Sequence, residues 1–138
     1  MVDISLLSQQ LTEHGKNNQE GFPFTVEIIP GEVTVLKVTI EDREELPVFV
    51  SVTEDQILCI SYLFSAQEVR TDGIHEMNNA MLSVNVAMPL SSFAKLEDQY
   101  VVFGAMSINA HFEELVHEIE VLSSNAIEAI EAMRDYLV

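Results

Sequence analysis

The stretch VTVLKVTIEDREELPVFVSVTEDQILCISYLF, Val33 to Phe64, decides the fold class. It holds three runs of strand-forming residues separated by two acidic turns. In the first run Leu36, Val38 and Ile40 fall on one side, and Val35, Lys37 and Thr39 on the other, which is the period of an extended chain. The charged segment Glu41-Asp42-Arg43-Glu44-Glu45 interrupts it. Leu46 to Val52 then resumes as strand, with Pro47 near its start, where a missing N–H is tolerated. After Thr53-Glu54-Asp55, Ile57 to Phe64 is apolar in both alternating sets, which predicts a central strand covered on both faces. Upstream, Phe24, Val26 and Ile28 alternate with Thr25 and Glu27, and Pro30-Gly31 turns the chain. Four sequential strands with short connections predict an antiparallel meander.

Outward from this block the period becomes helical. Asp3 is placed to cap a helix carrying Ile4, Leu6, Leu7 and Leu11, which His14-Gly15 would end. Beyond Thr71-Asp72, Ile74, Met77, Met81, Leu82 and Asn85 recur at three and four residues, Glu76 sits in the first turn, and Pro89 forbids continuation. Ser91 to Leu96 reads as a short strand and Tyr100 to Met106 as a stronger one. Asn109 would cap a final helix. On a wheel of about 100° per residue, Phe112, Leu115, Val116, Ile119, Leu122, Ala126, Ile130, Met133 and Leu137 share one side. Glu113, Glu114, Glu118, Glu120, Glu128, Glu131 and Asp135 take the other. The phase survives Ser123-Ser124-Asn125, favouring one helix, although Asn125-Ala-Ile-Glu128 also reads as a capping box that could restart it. The expected fold is a single α+β domain over 1–138, an antiparallel sheet flanked by helices in the order α-ββββ-α-ββ-α.

An unbroken helix from Ala110 to Leu137 would reach about 42 Å, whereas a compact globule of this length is roughly 37 Å across. Its end would overhang and expose Ile130, Met133 and Leu137, an apolar stripe that a second copy or another protein would cover. A homodimer is therefore expected. Glu113, Glu128, Glu131, Ile130, Met133 and Leu137 are the candidate partner-binding residues.

Charge narrows the function. Six Lys and Arg stand against 23 Asp and Glu, for a net charge of −17 in 138 residues. The cations are scattered singly, which makes nucleic acid and anionic lipid surfaces poor partners, so no nucleic acid is expected, and favours basic partners. No apolar run approaches the roughly 20 residues of a membrane helix, so no direct membrane insertion is expected, and the start lacks a signal-peptide pattern. A cytoplasmic protein is expected.

Chemistry-bearing patterns are few. Glu114-Leu-Val-His117 sets a carboxylate and an imidazole one turn apart, but a carboxylate-bridged metal site needs a second such motif. The glycines form neither a P-loop nor a dinucleotide fingerprint. Serines lack a nucleophile elbow. Cys59, inside a predicted core strand and without a cationic neighbour, reads as a small hydrophobe. No enzyme, metal or cofactor is expected. The methionines Met77, Met81, Met88, Met106 and Met133 suit a core, or an adaptable groove beside the second helix.

At MPLSSFA, Met88 to Ala94, and QYVVFGAMS, Gln99 to Ser107, the sequence resembles the bacterial YjfI family, as it does at Glu118-Ile119 and Leu122 to Asn125. The shared motifs are mainly apolar and imply no catalytic residue. The resemblance implies a gene neighbourhood shared with a PspA-like membrane-remodelling protein, and so a PspA-like partner. The element order is also similar to the type III secretion chaperone and YbjN-like architecture, which implies a small, acidic, dimeric protein that holds partner polypeptides. Secretion chaperones usually have three strands before the second helix, where four are predicted here. The expected function is a non-enzymatic adaptor or chaperone-like protein; the alternative is a small-molecule-binding or enzymatic domain with a pocket between sheet and helices.

Overall fold

The computed structural model describes residues 3–17 and 21–138. The elements are α1 (Ile4–Asn17), β1 (Phe24–Ile29), β2 (Val35–Ile40), β3 (Val48–Val52), β4 (Gln56–Ser65), α2 (Ile74–Val84), β5 (Ser92–Leu96), β6 (Gln99–Ser107) and α3 (Phe112–Met133). This is the expected α-ββββ-α-ββ-α order. The strands form one six-stranded sheet ordered β1-β2-β3-β4-β6-β5, antiparallel throughout. The predicted meander supplies β1 to β4; α2 then carries the chain across so that β6 pairs with β4 and β5 becomes the far edge.

Local chemistry explains most boundaries. Asp3 Oδ1 accepts the Ser5 N–H at 2.9 Å, the expected N-cap. Helix α1 runs past His14-Gly15, because Gly15 serves close packing rather than termination: a Cβ there would lie 2.3 Å from the Phe24 carbonyl oxygen. His14 packs against the rings of Phe24 and Phe112. Thr53 closes the β3–β4 turn by accepting the Asp55 and Gln56 N–H groups at 3.2 Å. The N-cap of α3 is His111, two residues later than expected, and Asn109 instead donates its N–H to Ser107 Oγ.

Helix α3 is continuous through Ser123-Ser124-Asn125 and ends at Met133, a length of about 33 Å at 1.5 Å per residue. A 3₁₀ turn, Arg134–Tyr136, follows, and Leu137 forms an antiparallel bridge with Val69. The expected overhang is thus replaced by a folded-back end. Met133 is buried, while Ile130 and Leu137 are half-buried against the core.

All three helices lie on one face of the sheet. That face bears Leu36, Val38, Val48, Val50, Cys59 and Val102, all without exposure, against Leu11, Met77, Ile119 and Leu122. The opposite face corrects the expectation of a strand covered on both sides. Phe49, Ile60 and Phe103 stand in register across β3, β4 and β6 and are half-buried, whereas Tyr62 and Ala105 are exposed. Val101, beside them, is buried but lies outside the contiguous core. Among the described residues no helix is long and apolar enough to cross a membrane.

Candidate interaction surface

Residues 77–96 form the longest run in the chain without Asp or Glu, and their only charge is Lys95. They supply most of α2, the connection after it and β5. Only Met77 and Met81 of α2 are fully turned into the core; Leu82, expected on the buried stripe, is 70% exposed. The connection displays Val86, 92% exposed, and Leu90. Exposed apolar side chains in a charge-depleted zone have the composition of an interface centre.

Two concavities flank this surface. One, of about 280 Å³, lies between α2 and β5 and is lined by Met81, Leu82, Asn85, Phe93, Lys95 and Tyr100. The other, of about 260 Å³, lies between the connection and α3, with Val84, Met88, Phe93, Asn125, Glu128 and Met133 on its walls. The groove beside α2 that was the alternative to core for the methionines has a counterpart here: buried Met81 lines the first cavity and half-buried Met88 the second. Tyr100 donates its hydroxyl to Asn78 Oδ1 at 2.7 Å, and Lys95 Nζ sits 5.5 Å from the Tyr100 ring centre.

The connection is fastened from both sides. The Phe93 N–H donates to Asn85 Oδ1 at 2.7 Å. From α3, buried Asn125 donates through Nδ2 to the Pro89 carbonyl at 2.9 Å and to Ser91 Oγ at 3.0 Å. Leu90 takes φ 62°, in the left-handed region that a leucine enters at a cost of roughly 1–2 kcal/mol. The neighbouring Ser123 and Ser124 accept from Arg43 Nη1 at 3.1 and 3.2 Å, and the Arg43 guanidinium lies 4.1 Å from the Phe22 ring centre. The Ser-Ser-Asn interruption of α3 is therefore a polar clasp on both flanks, not a helix break.

Beneath the connection lies a residue expected on the wet face of α3. Glu118 is 6% exposed, and among the described residues its Oε1 has no hydrogen-bond partner. It occupies the space left by Gly104: a Cβ there would meet Glu118 Oε1 at 1.7 Å and the Leu90 carbonyl oxygen at 2.9 Å. Gly104 pairs with Cys59 across the sheet. Burial raises the Glu118 pKa, opposed in part by His117. Burial, with a smaller contribution from Glu118, pushes the Cys59 thiol up to about 12, so it is a protonated core residue.

The remaining candidates are dispersed. Glu113, Glu128 and Glu131 are exposed, and Glu131 accepts from Arg134 Nη2 at 2.5 Å. Glu128 and Met133 share the cavity beside the connection, while Glu113 lies in the first turn of α3, about four turns away. Glu114 and His117 are both exposed, and among the described residues no group of three His, Cys, Asp or Glu could hold a metal. Sequence reasoning passed over Glu118 and Asn125 because of their polarity. Yet Leu115, Glu118, Leu122, Asn125 and Ala129 recur at three and four residues, the spacing of the buried stripe.

The comparisons agree with the resemblance noted from the motifs. YjfI of Escherichia coli strain K12 is 27% identical over 105 residues, covering 73% of this chain and 77% of YjfI. The crystal structure of YbjN from Escherichia coli superposes with a TM-score of 0.64 at 14% identity, over 99% of this chain and 96% of YbjN. A protein from Methanothermobacter thermautotrophicus gives 0.64 at 12% identity, over 95% and 99% of the two chains. At those identities the two structures establish a shared YbjN-like fold. The bacterial family described as "Uncharacterized protein conserved in bacteria (DUF2170)" matches residues 1–137, and the chain belongs to it.

Proposed function

We propose that this chain is a non-enzymatic, cytoplasmic, chaperone-like adaptor that captures a polypeptide on the surface formed by α2, the connection 85–91 and β5. The observation that carries this reading is the coincidence of the longest acid-free run with two strongly exposed apolar side chains, Leu82 and Val86. All 23 Asp and Glu lie outside this run. A fitting partner therefore presents apolar anchors flanked by Lys and Arg, the acidic surroundings raising its encounter rate and the apolar centre holding it. A PspA-like protein is the first partner to test, as the family resemblance implies.

The small-molecule alternative is less well supported. Both cavities fall just below the roughly 300–1,000 Å³ common for ligand sites, and in the first the polar walls are already engaged, Tyr100 with Asn78 and Asn85 with the Phe93 backbone.

Titrating a PspA-like protein against the wild type and the Leu82→Ser/Val86→Ser variant, at low and high salt, tests the reading. The expected result is at least about tenfold weaker binding by the variant and by the wild type at high salt, as for anchors worth more than about 1 kcal/mol with electrostatic steering. Equal binding by variant and wild type would overturn it. A second copy on the same surface would show instead as self-association strengthened by salt, because two chains of −17 repel.

A further inference from the structure

We propose that the connection 85–91 is a proton-controlled flap: it closes over Glu118 only while that carboxyl is neutral, and ionisation of Glu118 opens it and dismantles the docking surface. The proposal rests on the docking reading for its consequence, but the flap itself stands on separate geometry. Glu118 Oε1 and the Leu90 carbonyl oxygen crowd the same point above Gly104, and Oε1 has no donor. A carboxylate there would hold the share of its charge on Oε1 away from water and close to the negative end of a carbonyl dipole.

Something must yield on ionisation, and the packing decides what. Gly104 lies in β6, which is paired on both sides, and α3 is locked by Leu115, Ile119 and Leu122 in the core. The connection is the weak member. It exposes Val86 and Leu90, holds Leu90 in a left-handed conformation, and is fastened to α3 through Asn125. Lifting it admits water to the carboxylate and releases the Leu90 backbone.

The surroundings of Glu118 contain little else that titrates. From β4 it faces the Cys59 thiol, and β3 contributes apolar Val48 and Val50. The same face of β6 carries Val102, Gly104 and Met106, with Tyr100 further along and its hydroxyl engaged by Asn78. The connection has no ionisable side chain. On α3 itself His117 adjoins Glu118, with exposed Glu114 and half-buried Glu120 beyond. His117 favours the carboxylate, so the closed flap depends on burial prevailing over that neighbour.

The test needs no partner. Exchange of the Asn125 carboxamide protons, corrected for intrinsic pH dependence, reports whether Nδ2 still meets Pro89 and Ser91. It is measured by NMR from pH 5 to pH 8.5 in the wild type, Glu118→Gln and Asn125→Asp. Wild-type protection should fall about tenfold for each pH unit above the Glu118 transition, since each unit is a tenfold shift in the linked equilibrium. Glu118→Gln should stay protected throughout. In Asn125→Asp, where the carboxamide is gone, the Phe93 amide held by Asn85 should exchange fast at every pH. PH-independent protection in the wild type, or a transition retained in Glu118→Gln, would overturn the flap while leaving the docking surface to stand on the Leu82/Val86 result.

Discussion

Glu118 and Gly104 form a unit in which each explains the other. The glycine vacates the space that the carboxyl fills, so Gly104→Ala should destabilise the fold by about 1–3 kcal/mol through overpacking, read from the denaturant midpoint. The carboxyl also makes stability depend on pH with a definite sign. Its pKa is raised in the folded state, so the folded chain holds the proton more tightly than the unfolded one. Its contribution is complete below the ordinary glutamate range and is lost as pH rises through that range towards the raised value. Glu118→Gln should therefore be more stable than wild type at neutral pH, the difference shrinking towards acid pH; parallel curves would contradict the burial effect. Arg43 works as a second polar fastener. Arg43→Ala removes its donations to Ser123 and Ser124 and its stacking on Phe22, and should cost roughly 1.5–3 kcal/mol in thermal or chemical unfolding.

Helices α2 and α3 show how much periodicity reveals and where it stops. The α3 stripe through Leu115, Ile119, Leu122 and Ala126 is in the core as expected, because its spacing fits one face of a helix laid on a sheet. Glu118 and Asn125 were legible by spacing and hidden by chemistry: a polar side chain on the buried side has meaning only once its partners, Gly104 or Pro89 and Ser91, are in place. In α2, Met81 and Leu82 both fitted the apolar pattern, but adjacent helical residues point about 100° apart, and only Met81 reaches the core. The two should separate cleanly. Met81→Ala is expected to lower stability by about 2–5 kcal/mol, whereas Leu82→Ala should stay within about 0.5 kcal/mol of wild type. Comparable losses would mean that α2 packs differently.

At the scale of the molecule, charge was fully legible and its distribution partly so. The acid-free run 77–96 stands in the sequence, yet that it also exposes Leu82, Val86 and Leu90 depends on how the crossover seats α2 at the β5 edge. The uncovered sheet face was not legible at all, because a strand apolar in both alternating sets reads alike whether or not a second layer of helices exists. A net charge of −17 repels itself within one fold. Raising salt from about 10 mM to about 150 mM shortens the screening length from roughly 30 Å to 8 Å and should raise the melting temperature of the isolated chain. A flat response would mean that the carboxylates are already compensated.

The folded-back end after α3 carries a mechanical implication. Besides the Val69–Leu137 bridge, the Arg70 N–H donates to the Tyr136 carbonyl at 2.7 Å and the Val138 N–H to the Glu68 carbonyl at 2.8 Å. This seam ties the last residues to the segment that launches α2, closing much of the polypeptide into a non-covalent ring. A load applied at Val138 is thereby delivered to the root of α2, next to the docking surface, before it reaches the sheet. Deleting 136–138 should open the ring, and protease nicking around 68–73 would be its earliest sign.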